Sequence, residues 1–435
     1  MTKKLNTILL GGSNSIMSGA LKSGLGCKSS LHNFAIGASS VVQNASELSK
    51  NRQKIINADL VITESNVNDS HNVNVLNAPI NFMVEKISEY YLELSKLNKN
   101  CVVFILPVKF IEGKTESIDI IEEINNAHRA NAINHGFYIV DLALYFKELS
   151  SDVMDMVMPD PRHVNNSYMY NIGVNVIAYF TSLKNVAINK DKLILAESNY
   201  SFLNANLFGS IETKQNSMFE AELLELDEGE VYTFPKSSFG YYLIGIATWS
   251  DGDSAIEIAS KKNVLRKAFN NLNAFNELLT PIKIDESTQF STIKVDIKTT
   301  EASVNVSDFI NCNNNTRLAG FYVAKNLVAC DLSYETPLDS AYSRDLDFLI
   351  PDVMPYFHSV KFFLSRVSIT KVINLKYNNS KADASTFYAN LVKDAAVFFI
   401  NKDNSLAYKL MRLALFINPK NRLAKKWLKN RKSKK

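Results

Sequence analysis

"TILLGGSNSIMSG" (residues 7–19) is the stretch on which the reading of this chain turns. An apolar run breaks abruptly into Gly11, Gly12 and Ser13. Continuous apolar runs mark strands covered on both faces rather than half-exposed ones. A Gly-Gly-Ser step behind such a strand admits a phosphate cradle, a serine nucleophile or a plain strand-to-helix turn. The surrounding sequence has to choose among them.

Four further segments carry the same texture. "HNFAIGASS" (32–40), "INADLVITES" (56–65), "KNCVVFILPV" (99–108) and "GFYIVDLAL" (136–144) read as strands, with helical stretches at 82–97 and about 115–134. In the second of these helices Ile120, Ile121, Ile124 and Ala127 recur near helical spacing. Apolar strands alternating with helices predict a parallel sheet covered on both faces. Ligands in such folds gather at the carboxyl ends of strands.

The texture changes after about residue 195. "GEVYTFPK", "FGYYLIGIATWS", "SAIEIASKK" and "FSTIKVDIKTTEASVNVS" are short strand-like runs broken by Gly, Asp, Ser and Asn. They predict an antiparallel sandwich or jelly roll, with "AGFYVAKNLVAC" as a further candidate strand. From about 385 a helical pattern returns in "STFYANLVKDAAVFFI" and "SLAYKLMRLALFI". The expected organisation is an α/β domain over 1–195, a β-rich module over 196–385 and an amphipathic, basic helical tail over 386–435. A chain of 435 residues with 46% hydrophobic content accommodates that division.

Charge is unevenly spread. Residues 401–435 hold twelve Lys or Arg and one acid, so they carry +11 while the rest of the chain carries −7 of the total +4. Leu406, Leu410, Leu413 and Ile417 follow helical spacing there, and Leu423, Trp427 and Leu428 form a second apolar edge among lysines. Such a segment suits an anionic membrane surface, with an acidic protein partner as the competing reading. Nucleic acid is not expected as a partner, because no recognition motif accompanies the charge. Cys27, Cys101, Cys312 and Cys330 lack metal or redox spacing and fit a reducing compartment. Lys3 and Lys4 precede an apolar run too short for a secretory core, and no stretch is long enough to span a bilayer. A cytoplasmic protein, peripheral at the inner face of a bacterial membrane, is the expectation.

Two look-alike motifs fall away. "GALKSGLGCKSS" (19–30) resembles a phosphate loop, but Cys27 stands where the lysine is required, and no third glycine completes a dinucleotide fingerprint. The histidines, at 32, 71, 128, 135, 163 and 358, show no ligand spacing, so no metal is expected.

Four fragments, taken in order, point elsewhere. They are "GGSNS" after the first strand, Gly37 in "AIGAS", "DLVITESNVND" (59–69) after the third, and "PDPRHVNN" (159–166) beyond the last parallel strand. The set resembles the SGNH (GDSL-like) hydrolases and acyltransferases over about residues 5–185. The resemblance implies a flavodoxin-like parallel sheet. It makes Ser13 the nucleophile and Asp160 with His163 the acid and base. Ser13 N–H, Gly37 N–H and the Asn68 amide become the oxyanion donors. Two residues depart from the family pattern. Gly12 replaces the first-block aspartate, and Asn66, shortly after Glu64, replaces the third-block glycine. Glycine suits a tight turn at position 12, and Asn66 is expected either to adopt a left-handed backbone or to meet substrate.

The same residues make chemical sense on their own. A serine hydroxyl needs a base, a histidine needs an acid to fix its ring, and acyl transfer needs donors where oxyanion charge develops. Competing readings remain for each. Ser13 is also a good helix N-cap, Ser15 is a neighbouring candidate nucleophile, and Asn68 and Asp69 are turn formers. His71 and Trp249 are candidate substrate contacts, and Tyr241, Tyr242 and Trp249 a candidate sugar platform, although strand alternation sends Tyr241 and Tyr242 to opposite faces. The expected function is a serine-dependent O-acetyltransferase acting on a surface or capsular carbohydrate. A carbohydrate esterase using water and an inactive glycan-binding or membrane-assembly protein are the alternatives. No tightly bound cofactor is expected, and acetyl-CoA is the candidate acyl donor.

Overall fold

The computed structural model describes residues 4–97, 99–109, 117–183, 197–216, 219–249, 254–269, 274–293, 316–327 and 344–354. Beyond these it describes 393, 411–412, 414–415 and 424–426. The expected helical basic tail otherwise lies outside the described residues, as do 294–315 within the β-rich region.

The N-terminal sheet contains β1 (Leu5–Leu10), β2 (Ser29–Asn33), β3 (Leu60–Thr63), β4 (Asn100–Ile105) and β5 (Tyr138–Asp141), all parallel, in the order β2-β1-β3-β4-β5. This is the flavodoxin-like order, whose switch point lies between β1 and β3. Residue 13 therefore sits just beyond β1 at the crevice where such sheets hold ligands. β3 is buried along its whole length, and helices cover the sheet. On the way to β3 the chain forms α1 (Ser13–Ile16), α2 (Leu21–Gly26), α3 (Val41–Lys50) and α4 (Arg52–Ile56). Next come α5 (Asn66–Asn74), α6 (Ile80–Ser95) and α7 (Ile118–Asn134). After β5 follow α8 (Leu142–Lys147), α9 (Ser151–Val157) and α10 (Asn166–Leu183).

The second strand is shifted from its expected place. β2 ends at Asn33, and 34–40 form a loop rather than a strand. Phe34 N–H and Ile36 N–H still donate to Leu9 and Gly11 carbonyls, but Ala38 then takes a φ of +61°, which ends any extended run. The phosphate-loop look-alike is a packing device. A Cβ on Gly24 would lie 2.1 Å from the Tyr170 carbonyl oxygen, so α2 and α10 approach closely only because Gly24 has no side chain.

The β-rich region is antiparallel. Its strands are β6 (Tyr200–Asn204), β7 (Glu212–Gln215), β8 (Glu220–Leu226), β9 (Tyr232–Thr233) and β10 (Tyr242–Thr248). They continue with β11 (Ser254–Ala259), β12 (Val264–Phe269), β13 (Phe275–Lys283), β14 (Gln289–Ile293) and β15 (Thr316–Ala324). One sheet runs β13-β10-β15-β8-β7, with β6 also on β15, and a second runs β12-β11-β14-β9. Of the candidate strand at 319–330, residues 319–324 are the last six of β15, and 328–330 lie outside the described residues. Apolar side chains from both sheets, among them Leu243, Ile256, Phe290 and Phe321, form one core. The opposite face of the larger sheet joins the α/β domain. Tyr200, Ile244, Phe275 and Tyr322 share a cluster with Val41, Val42 and Tyr90 of that domain. Tyr241 and Tyr242 obey alternation: Tyr241 packs on the module's own core and Tyr242 on the shared one.

Residues 344–354 return to the α/β domain. Leu346 N–H donates to Ile139 O at 2.8 Å, and Asp141 N–H to Asp347 Oδ1 at 2.6 Å, so the segment lines the free edge of β5. Leu346, Ile350 and Val353 then enter the core beside α10.

Candidate active site

Ser13 opens α1 directly after β1, with Gly12 as the N-cap. Its hydroxyl does not cap the helix. Ser13 Oγ lies 2.7 Å from His163 Nε2, and His163 Nδ1 lies 2.9 Å from both carboxylate oxygens of Asp160. With the Nδ1 proton donated to Asp160, Nε2 is the acceptor and the Ser13 hydroxyl donates to it. A hydroxyl, an imidazole and a carboxylate thus stand in series. Ser15 is fully buried and its hydroxyl donates to Glu64 at 2.8 Å, which removes it from contention as a nucleophile.

The Asp160 loop is self-contained. Asp160 Oδ1 also accepts the backbone N–H groups of Arg162 and His163, so the acid fixes both the ring and the backbone that carries it. Burial pushes its carboxyl pKa up, but the hydrogen bond and charge of His163, with the two N–H groups, outweigh this and hold it below the ordinary value. The Asp160 side chain is 48% exposed, so solvent screens the pair and its contribution to stability is small.

Two residues outside the motif pattern hold the serine against the histidine. Asn14 is buried; its Nδ2 donates to Arg162 O at 2.9 Å and its Oδ1 accepts Val164 N–H at 3.0 Å. One amide on the nucleophile turn therefore brackets His163 on both sides. Glu64, at the end of β3, accepts Gly12 N–H at 2.7 Å on the same oxygen that takes the Ser15 hydroxyl. Its other oxygen, Oε2, is buried without a hydrogen-bond partner among the described residues, and burial raises the carboxyl pKa despite these bonds. Asn14 adjoins Ser13 but carries no mark of its own in the sequence; Glu64 is a charged residue directly behind an apolar strand run, and that incongruity is its only signal.

Gly12 now has a cause other than a tight turn. Its φ of −95° is open to any residue, but a Cβ there would lie 2.1 Å from Asn68 Nδ2. The Asn68 amide therefore packs directly on the backbone before Ser13. One of its protons goes to Ser39 O at 2.9 Å. Gly37 lies in the loop beyond β2, its α-carbon facing Ile16. Asp69 is buried; it accepts Val41 N–H and pairs with His128 Nε2 at 2.9 Å, whose Nδ1 meets the Tyr91 hydroxyl. This network anchors the start of α3 to α5.

The candidate substrate contacts fall differently. Asn66 is fully buried; its Nδ2 donates to Leu106 O and Asn125 Oδ1, and its Oδ1 accepts Leu106 N–H. It braces β4 against α5, is not left-handed, and has no surface left for substrate, which corrects both expectations for it. His71 is half-buried on α5, one turn beyond Asn68. Trp249 follows β10 with its ring 4.9 Å from that of Phe219, a contact within the β-rich module. Among the described residues no group of three or more His, Cys, Asp or Glu could hold a metal ion. None of the described helices is long and apolar enough to cross a membrane.

No protein-family model matches the chain, and no curated protein matches its sequence. Among solved structures, the acetyl xylan esterase AlAXEase is 14% identical, with a TM-score of 0.33 over 40% of this chain and 98% of its own. A lipase/acylhydrolase from Enterococcus faecalis is 14% identical, with a TM-score of 0.34 over 42% of this chain and 98% of its own. LAE5, an alpha/beta hydrolase enzyme from the metagenome of Lake Arreo, is 13% identical, with a TM-score of 0.33 over 43% and 99%. These similarities are weak, and each covers about two fifths of this chain.

Proposed function

We propose that this chain is a serine-dependent acyltransferase that moves an acetyl group onto a carbohydrate hydroxyl. The observation that carries the reading is the series Ser13 Oγ, His163 Nε2, His163 Nδ1, Asp160, closed by contacts of 2.7 and 2.9 Å. Ser13 Oγ attacks the acyl carbonyl while His163 takes its proton, and Asp160 stabilises the imidazolium that results. The carbonyl oxygen becomes an oxyanion within the reach assigned to Ser13 N–H, Gly37 N–H and the second Asn68 Nδ2 proton. Ser13 opens α1, so the positive end of a short helix adds to these donors. The tetrahedral species collapses, the donor's alcohol or thiol leaves with the proton from His163, and an acetyl-Ser13 ester remains. A sugar hydroxyl, deprotonated by His163, then attacks that ester and restores Ser13.

Acetyl-CoA is the proposed donor; water in place of the sugar makes the same machinery a carbohydrate esterase. The basic 401–435 segment is proposed to hold the chain on an anionic lipid surface, where its deletion would abolish co-sedimentation with anionic vesicles.

Intact mass after exposure to acetyl-CoA or an activated acetyl ester tests the mechanism. The wild-type chain gains one acetyl group and Ser13→Ala gains none. An adduct that persists in Ser13→Ala removes Ser13 as the nucleophile, and no adduct from any donor points to a glycan-binding protein instead. Given an adduct, release of free acetate without transfer to any sugar identifies the esterase.

A further inference from the structure

We infer that Glu277, carried by the β-rich module, is a positioning residue for the oxyanion donors of the α/β domain. The inference rests on the acyl-transfer reading above and gives the module a part in it. Glu277 lies in β13, opposite Gly245 of β10. Its Oε1 accepts the Ser40 hydroxyl and, at 3.3 Å, Asn72 Nδ2. These partners belong to different elements of the α/β domain. Ser40 is the N-cap of α3 and ends the loop that carries Gly37. Asn72 stands on α5, one turn beyond Asn68. A single carboxylate oxygen from the module thus ties together the two segments that supply two of the three oxyanion donors.

Bonds inside the domain transmit that tie. Ser39 O accepts Asn68 Nδ2, and Asp69 Oδ1 accepts Val41 N–H, so the 37–41 loop and the first turn of α5 move together. Glu277 closes this bracket from outside. The module also supplies Lys267, 1% exposed, whose Nζ donates to the Glu277 backbone carbonyl at 2.6 Å. Burial raises the Glu277 carboxyl pKa, and the Lys267 charge offsets only part of that cost. Adhesion alone does not require such a pair, because Tyr200, Ile244, Phe275 and Tyr322 already join the module to the domain through an apolar face. Enclosed carboxylates are costly, and this one ends on the loop and the helix that carry Gly37 and Asn68.

The chain tested is the full chain. Glu277→Leu removes the acceptor, Glu277→Gln keeps an oxygen where Oε1 stands, and Ser40→Ala removes one donor from the other side of the interface. The rate of acetyl-Ser13 formation should fall roughly tenfold or more in Glu277→Leu with little change in the donor concentration at half-maximal rate, since a displaced oxyanion donor acts on the transition state. Glu277→Gln should stay within about threefold of wild type. Ser40→Ala should slow the step and add little to Glu277→Leu in the double variant, because both act through one contact. The Asn68 side-chain amide resonance, assigned by its loss in Asn68→Asp, should shift in Glu277→Leu and Ser40→Ala but not in Glu277→Gln. Wild-type acylation rates in Glu277→Leu, or additive losses in the double variant, overturn the inference. If Glu277→Leu fails to fold, Ser40→Ala decides the matter alone, an unchanged rate and Asn68 signal overturning it. If the wild type forms no acetyl adduct, the acyl-transfer reading falls. The inference falls with an unshifted Asn68 signal, whereas a shifted one retains Glu277 as the residue that places that amide.

Discussion

The backbone N–H of Gly12 donates to Glu64 across 2.7 Å, from the residue before the candidate nucleophile to a carboxyl at the end of the neighbouring strand. The same Glu64 oxygen receives the Ser15 hydroxyl, so the turn holding Ser13 is fixed on both sides by one acceptor. Glu64→Ala leaves a buried N–H and a buried hydroxyl unpaired and frees the turn. Acyl-ester turnover should drop about 10- to 100-fold, mainly in kcat, because a small misplacement of a reacting atom is costly. Glu64→Gln keeps an acceptor at Oε1 and should remain within about threefold, and equal losses in the two variants would show that charge rather than placement matters. Steady-state kinetics on a chromogenic acetate ester makes the comparison.

Asn14 should behave as the second brace. Its amide bonds Arg162 O and Val164 N–H, one on each side of His163. Asn14→Leu conserves bulk but orphans both backbone groups, at about 1–3 kcal/mol of stability. Turnover should fall more steeply than that loss explains, and the 15N signal of His163 Nε2 should move as its contact with Ser13 weakens. A stable Asn14→Leu variant with wild-type turnover would refute the bracing role.

Gly24 is a prediction about the fold alone. Its missing Cβ makes room for the Tyr170 carbonyl, so Gly24→Ala forces α2 and α10 apart. Overpacking of this kind costs about 1–3 kcal/mol, and the melting temperature should fall by several degrees in differential scanning calorimetry. A variant melting at the wild-type temperature would mean that the helices separate without cost.

Asp347 makes the 344–354 edge contact sensitive to pH. Burial first, then the charges of Asp345 and Asp141, push its pKa up to about 7, against the Asp141 N–H that favours the anion. A carboxyl raised in the folded state holds a proton that the unfolded chain has already released, so stability falls as pH rises from about 4 through 7. Arg129 pairs with Asp141 rather than with Asp347 and does not cancel the effect. Asp347→Asn keeps an acceptor for Asp141 N–H and removes the charge. It should be about 1 kcal/mol more stable than wild type at pH 8, after discounting for solvent screening, and no more stable at pH 4. Urea unfolding at the two pH values reads the difference; a gain of equal size at both would exclude the titration.

Sequence alone determined what depends on near neighbours. β1, β3 and β4 were legible because strands buried on both faces need uninterrupted apolar runs, and no polar partner is required to recognise them. Asp160 with His163 was legible for a related reason: the contact spans three residues and closes within one loop. Ser13 was placed by the break from apolar strand to glycine, and the flavodoxin-like order brings it to His163, 150 residues away. What the other polar residues do follows from packing between distant segments. Gly12 answers to Asn68, Glu64 to Gly12 and Ser15, Asn14 to the His163 loop, and Glu277 to Ser40 across 237 residues. Asn66, read as a turn or substrate residue, is a buried brace because Leu106 and Asn125 arrive from elements far along the chain. Hydrophobic burial is periodic and leaves its mark on a sequence. A hydrogen bond between distant residues does not, since either partner alone is only a polar side chain until the packed core sets the pair a few ångströms apart.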